Sequence, residues 1–294
     1  MKAWLDIIWG FTIQPSEFAK LAMILMMAKT LSRYDRPMST VKEFFHIMLL
    51  LGVPCLIILL SGETGSMMVI VFLFAVMLYF SNVDMKLLLG LAAAAILAIL
   101  ALYGFMVASG SDDYRLARIL AFINPELSPL GDAYQQSQSK MVIGSGGLWG
   151  IGMFVDGAMS QLNYVPADWT DFIFSTIGEA WGFAGCSLIL LGYLLILLRM
   201  LYLARYTRDK FGMLVITGVM GMLLFHVFEN IGMTLGLMPI TGIPLPFLSY
   251  GGSNMVTNMG GVALVLNVTK NRSLSHSVLT PQTRTNIYSS TRRA

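Results

Sequence analysis

The chain has 294 residues, of which 56% are hydrophobic and only 12% are charged, with a net charge of +3. A soluble domain carries about a quarter charged residues, so this composition excludes one. Apolar runs long enough to cross a bilayer predict instead an all-α, polytopic membrane helix bundle, and the small positive charge gives no reason to read nucleic-acid binding.

The first predicted span, about residues 11–32, opens on Gln14-Pro15-Ser16-Glu17-Phe18-Ala19-Lys20. Ahead of it Asp6 and Trp9 interrupt the short apolar stretch behind Lys2, so no cleavable signal peptide is read. Pro15 suits the first turn of a helix, and Ser16 and Glu17 suit its start. Glu17 and Lys20 stand three apart, share a helix face and can pair. Charge inside a span is costly, so the pair marks a site, although an ion pair that only fixes helix packing would look the same. Spans two and three, about 43–61 and 65–82, are joined by Ser61-Gly62-Glu63-Thr64-Gly65, where Glu63 reads as a solvated turn residue. The fourth span covers about 86–109. Cys55 and Cys186 lie in apolar stretches and read as small buried hydrophobes.

A polar loop follows over residues 110–170. In Tyr114–Phe122 it places Arg115 and Arg118 on one side of a short amphipathic segment. Their forked guanidinium groups suit phosphates, of a substrate or of lipid headgroups. Further on, Gln138 and Lys140 precede a glycine run, Gly144, Gly146, Gly147 and Gly150, that could hold a phosphate through backbone N–H groups. The signal is weak alone, since no Lys-Ser/Thr pair follows. The loop ends in Tyr164-Val165-Pro166-Ala167-Asp168-Trp169-Thr170-Asp171-Phe172-Ile173-Phe174. Asp171 is a carboxylate at a membrane edge, wet enough to ionise and held by a rigid element. That is where a membrane enzyme acting on a lipid-linked substrate would put a base.

The fifth span, about 171–199, carries Glu179 on the face of Asp171, read as buried and paired. The sixth, about 211–237, carries His226 and Glu229 on one face, read as an inter-helix hydrogen bond. No second histidine or cysteine stands at metal-ligand spacing from His226. Pro239 to Ser253 holds too many prolines and glycines for a plain helix and is too apolar for a free loop. It reads as a broken, re-entrant stretch lining a cavity. The seventh span covers about 251–269, and 271–294 reads as a disordered cytoplasmic tail.

Basic residues set the orientation. Arg33, Arg36, Lys42, Lys86, Arg199, Arg205, Arg208, Lys210 and the tail fall on one side, against Arg115, Arg118 and Lys140 on the other. The positive-inside rule puts the first group in the cytoplasm and the 110–170 loop outside, with the N-terminus also outside.

Four motifs then resemble, in order, the SEDS family of RodA, FtsW and SpoVE proteins. They are Gln14–Lys20, Gly144-Ser145-Gly146-Gly147, Thr170-Asp171-Phe172-Ile173-Phe174 and Pro244–Ser253. The resemblance covers about residues 11–270, making 1–270 a SEDS-type membrane domain. Asn230 to Met233 and Gly242 to Pro244 look more like the elongation branch, RodA, than the division branch. The resemblance implies a peptidoglycan glycosyltransferase of the plasma membrane. Such an enzyme polymerises lipid II on the outer face beside a class B penicillin-binding protein, with Asp171 matching the family's essential aspartate. Three departures stand out. Trp169 replaces the usual histidine, Gly62-Glu63 replaces the usual Pro-Asp, and seven spans stand where the family usually has ten. The last implies an N-terminally truncated chain.

On this reading Asp171 is the general base for attack of a sugar hydroxyl on an anomeric carbon. Glu17, Lys20, Arg115, Arg118, Gln138, Lys140 and Ser249 are the candidate substrate-binding residues. A divalent cation, Mg or Mn, could share the pyrophosphate's charge, and no organic cofactor is expected. A lipid II flippase is the rival reading, because an intramembrane ion pair and a broken helix are common in transporters. An inactive scaffold is the third.

Overall fold

The computed structural model describes residues 5–6, 12–108, 122, 131–153, 155–162 and 164–278. Helices run over α1 (Pro15–Leu31), α2 (Val41–Leu60), α3 (Thr64–Phe80), α4 (Met85–Ala108), α5 (Asp132–Ser145), α6 (Ile173–Tyr206), α7 (Lys210–Thr234) and α8 (Gly252–Val278). Strands β1 (Leu5–Asp6) and β2 (Thr12–Ile13) form a two-residue antiparallel ladder, Leu5 opposite Ile13 and Asp6 opposite Thr12. Each predicted span corresponds to a helix, and apart from that short ladder the described residues form a helical, multi-pass membrane protein. Among the described residues α2, α6 and α7 are each long and apolar enough to cross a membrane alone. α8 continues to Val278, beyond the predicted boundary at 270.

α7 is the hub. It packs against α1, α3, α6 and α8, and Ile24, Met27, Leu73, Met77, Leu214 and Val219 are wholly buried where they meet. In lipid no hydrophobic force drives helices together, so close packing must. Gly218 supplies it, since a Cβ there would sit 2.8 Å from Ile24 Cγ2. The start of α7 is capped by Asp209, whose Oδ2 accepts the Gly212 N–H at 2.8 Å.

α6 is one helix in name and two in geometry. Gly182 leaves the helical region (φ 64°, ψ −162°), which strips neighbouring backbone groups of their helical partners. Buried backbone groups must find others. Residues 147–152 supply them. The N–H groups of Ile151 and Gly152 donate to the Glu179 and Ala180 carbonyls at 3.0 and 3.1 Å, and those of Phe183 and Ala184 donate to the Gly147 and Leu148 carbonyls at 2.9 and 3.1 Å. The approach demands glycine at 150, where a Cβ would lie 2.2 Å from the Ala180 oxygen. This counts against the reading of the glycine run as a phosphate cradle: the Gly146, Gly147 and Gly150 N–H groups donate to the Ile143, Gly144 and Gly146 carbonyls of their own turn.

α5 was not expected as a helix. It lies on the C-terminus of α7 and satisfies carbonyls that a helix end leaves bare. Gln136 Nε2 donates to the Met233 and Met238 oxygens at 3.0 and 2.8 Å, and Ser139 Oγ donates to the Thr234 oxygen at 2.8 Å. Residues 235–251 form no helix, in line with the re-entrant reading.

Candidate active site

Asp171 sits in the turn that leads into α6. Three consecutive carbonyls of that turn are tied down. Trp169 O accepts the Tyr250 N–H at 2.9 Å, Thr170 O accepts Ser249 Oγ at 2.6 Å, and Asp171 O accepts Asn230 Nδ2 at 2.7 Å. Asn230 also donates to Ile243 O at 2.8 Å, so one α7 side chain joins the Asp171 turn to the re-entrant segment. Ser249 Oγ in turn accepts the Leu245 N–H at 2.7 Å.

The half-buried Asp171 carboxylate lies beside Gly242, where a Cβ would stand 3.4 Å from Oδ2. Gly242 belongs to the wall of a cavity of about 150 Å³, together with Thr241, Ile243 and Pro244 of the re-entrant stretch, Glu17 and Lys20 of α1, and Glu63 and Ser66 at the start of α3. Lys20 is 1% exposed and Glu17 3%. Their ion pair is 2.7 Å long, and Lys20 Nζ also lies 2.9 Å from His226 Nε2. The Glu17 Oε2 oxygen is buried without a hydrogen-bond partner. Glu63 is half-buried, accepts Ser66 Oγ at 3.1 Å and lines the cavity, which corrects its reading as a solvated turn residue. Glu229 accepts Thr241 Oγ1 at 2.9 Å, fixing the cavity rim. His226 thus makes the expected inter-helix hydrogen bond, from α7 to Lys20 on α1, while Glu229 bonds to the re-entrant segment.

A second, larger cavity of about 410 Å³ lies on the α6 side of the same turn, with Asp168, Ile173, Ile177, Trp181 and Leu248 in its mainly apolar wall. Burial raises the Asp168 carboxyl above its ordinary value, against N–H groups of the backbone that lower it. Glu179 borders this cavity but is engaged, accepting the Met159 and Ser160 N–H groups at 2.7 and 2.9 Å.

The other candidates divide. Arg115 and Arg118 lie outside the described residues. Gln138 and Lys140 stand on α5, not in a loop, and neither lines the polar cavity. Lys140 packs over Gly236, just past the C-terminus of α7, where a cation meets the negative end of a helix. Ser249 is 2% exposed with its oxygen committed to two backbone groups, so it braces the Asp171 turn and does not face a ligand. Cys55 and Cys186 are free and buried. Among the described residues no three His, Cys, Asp or Glu side chains converge as a metal cage. Among the described residues the donors do not make up a cage that holds a cation by protein alone.

These features define a multi-pass membrane protein with an acidic residue, its backbone clamped, at the edge of a charged, half-buried cavity. The family model for FtsW, RodA and SpoVE cell cycle proteins matches residues 1–274. The chain is 35% identical to the peptidoglycan glycosyltransferase MrdB of Escherichia coli (strain K12), covering 94% of this chain and 73% of that protein. It is 36% identical to stage V sporulation protein E of Bacillus subtilis (strain 168), covering 92% and 71%. Its fold matches a chain solved in work on polymerization and crosslinking by a peptidoglycan synthase complex, with TM-score 0.73, 31% identity and coverage of 92% and 74%. It also matches the rod shape determining protein RodA of Thermus thermophilus, with TM-score 0.62, 29% identity and coverage of 92% and 70%. The chain belongs to the FtsW/RodA/SpoVE family.

Proposed function

We propose that this chain is a peptidoglycan glycosyltransferase that polymerises lipid II, with Asp171 as the general base. The observation that carries the reading is the clamp on Asp171. Three successive carbonyls, Trp169 to Asp171, are fixed to α7 and the re-entrant segment, so the backbone that carries the carboxylate is held, with Oδ2 next to Gly242 in the wall of the cavity of Glu17 and Lys20. Such preorganisation is what positional catalysis requires.

The acceptor sugar hydroxyl gives its proton to Asp171 as its oxygen attacks the donor's anomeric carbon. The bond from that carbon to the pyrophosphate breaks, and the lipid pyrophosphate leaves with the electron pair. The Lys20 ammonium offsets the leaving group's charge, and Glu17 keeps that ammonium in place. No step here passes through a metal ion. The basic connections support an orientation with the Asp171 end of the bundle on the outer face, where the sugars of a flipped lipid would lie. A class B penicillin-binding protein as partner agrees with the likeness to a chain from a peptidoglycan synthase complex.

The test is lipid II polymerisation by the chain with its partner transpeptidase, wild type beside Asp171→Asn. Loss of the base lowers the rate by roughly 10²–10⁴. A variant at wild-type rate would remove Asp171 from the chemistry, and lipid II translocation without polymer would favour a transporter.

A further inference from the structure

His226 is wholly buried, lies 206 residues along the chain from Lys20, and has no part in the proton transfer above. Its Nδ1 is 2.6 Å from the Met222 carbonyl one turn earlier on α7. A carbonyl can only accept, so Nδ1 carries the ring hydrogen and Nε2 presents a lone pair. That lone pair meets Lys20 Nζ at 2.9 Å. Lys20 and Glu17 line the polar cavity, whereas His226 stands behind them and does not.

We propose that His226 is the positioning residue for Lys20: with its tautomer fixed by Met222, it holds the ammonium from behind so that one N–H points into the cavity. The ammonium has three N–H groups. One is taken by Glu17 Oε1 at 2.7 Å and one by His226 Nε2. With two vectors fixed, the direction of the third is set by tetrahedral geometry. A lysine stem is otherwise a flexible carrier of a point charge, and a diphosphate needs that charge at one place. A neutral acceptor does this without cancelling the positive charge, which a second carboxylate would do. The inference rests on the reading of Lys20 as the ligand of the substrate's pyrophosphate.

The two ring nitrogens can be tested separately. In His226→Gln the amide oxygen reaches the place of Nε2 and still accepts from Lys20. In His226→Asn the shorter amide can reach only the Met222 carbonyl. Polymerisation kinetics on lipid II, with the partner transpeptidase present, are measured for both, alone and combined with Lys20→Met. His226→Gln keeps most of the wild-type kcat/KM. His226→Asn loses roughly tenfold to a hundredfold, the worth of one buried hydrogen bond to a charge. It loses nothing further once Lys20 is Met.

Equal activity of the two variants overturns the proposal, as does an undiminished effect of His226→Asn in the Lys20→Met background. Where Lys20→Met leaves no measurable rate, the same cycle is read in thermal melting. Coupled losses support the contact and additive losses overturn it. Failure of the underlying reading looks different, because Lys20→Met would then polymerise at the wild-type rate whatever occupies position 226.

Discussion

α6 and α7 are both long and apolar enough to cross a membrane, yet 72% of the most apolar stretch of α7 is buried inside the protein against 17% for α6. α6 turns Leu188, Leu191, Leu195 and Leu198 outward. α7 is enclosed, and its polar side chains all point at protein: His226 at Lys20, Glu229 at Thr241, Asn230 at two carbonyls. The active region is thus held from the α7 side by side chains. On the α6 side, Glu179 and Thr176 side chains hold residues 159–160 and Asp168, and backbone adds four hydrogen bonds that join residues 147–152 to the break at Gly182. Hydropathy alone cannot separate the two helices. The polar residues do, because a polar group facing lipid has nothing to bond.

This contrast can be broken from either side. Gly150→Ala attacks the backbone junction, placing a methyl 2.2 Å from the Ala180 oxygen at a residue with φ +80°. Overpacking and a left-handed alanine together cost about 3 kcal/mol or more, read as a clear drop in melting temperature in detergent. An unchanged melt would remove the junction from the account of α6. Asn230→Leu attacks the side-chain anchor at nearly constant volume. It leaves the Asp171 and Ile243 carbonyls without that donor, for about 2–4 kcal/mol, and polymerisation falls with stability because the Asp171 turn loosens. If stability falls while the rate per folded molecule holds, α7 does not position Asp171.

The smallest effect belongs to Asp168, on the α6 side. Its carboxyl binds a proton more tightly in the folded chain than when exposed, so the ionised form lowers stability at neutral pH. Asp168→Asn should raise the melting temperature slightly at pH 7. The gain should vanish as the pH falls through the carboxylate range and the wild-type group takes up its proton. A gain that grows on acidification would mean that folding lowers the Asp168 carboxyl instead of raising it.

The spans were legible because their apolar runs are long and their breaks are marked by charge, glycine or proline. Pairing of Glu17 with Lys20 was legible from a three-residue spacing, and the broken backbone before α8 from Pro239, Pro244 and Pro246. α5 escaped notice because it is polar, although Tyr134 to Ile143 contains neither glycine nor proline. The partner of the glycine run was illegible for a different reason. A backbone cleft and a phosphate make the same demand on local sequence, and only the fold shows which of them arrives. The Lys20–His226 contact crosses 206 residues, and no local pattern encodes it.

The break in α6 also bears on depth. A straight helix of 34 residues would be roughly 51 Å long, against about 30 Å of hydrocarbon in a bilayer. The piece from Phe183 to Tyr206 rises roughly 36 Å and crosses that thickness unaided with a modest tilt. By length the piece from Ile173 to Gly182 is surplus to that crossing. In the orientation proposed above, Asp171, which precedes it, comes to the level where the sugars of a membrane-anchored molecule emerge into water while its tail stays in oil.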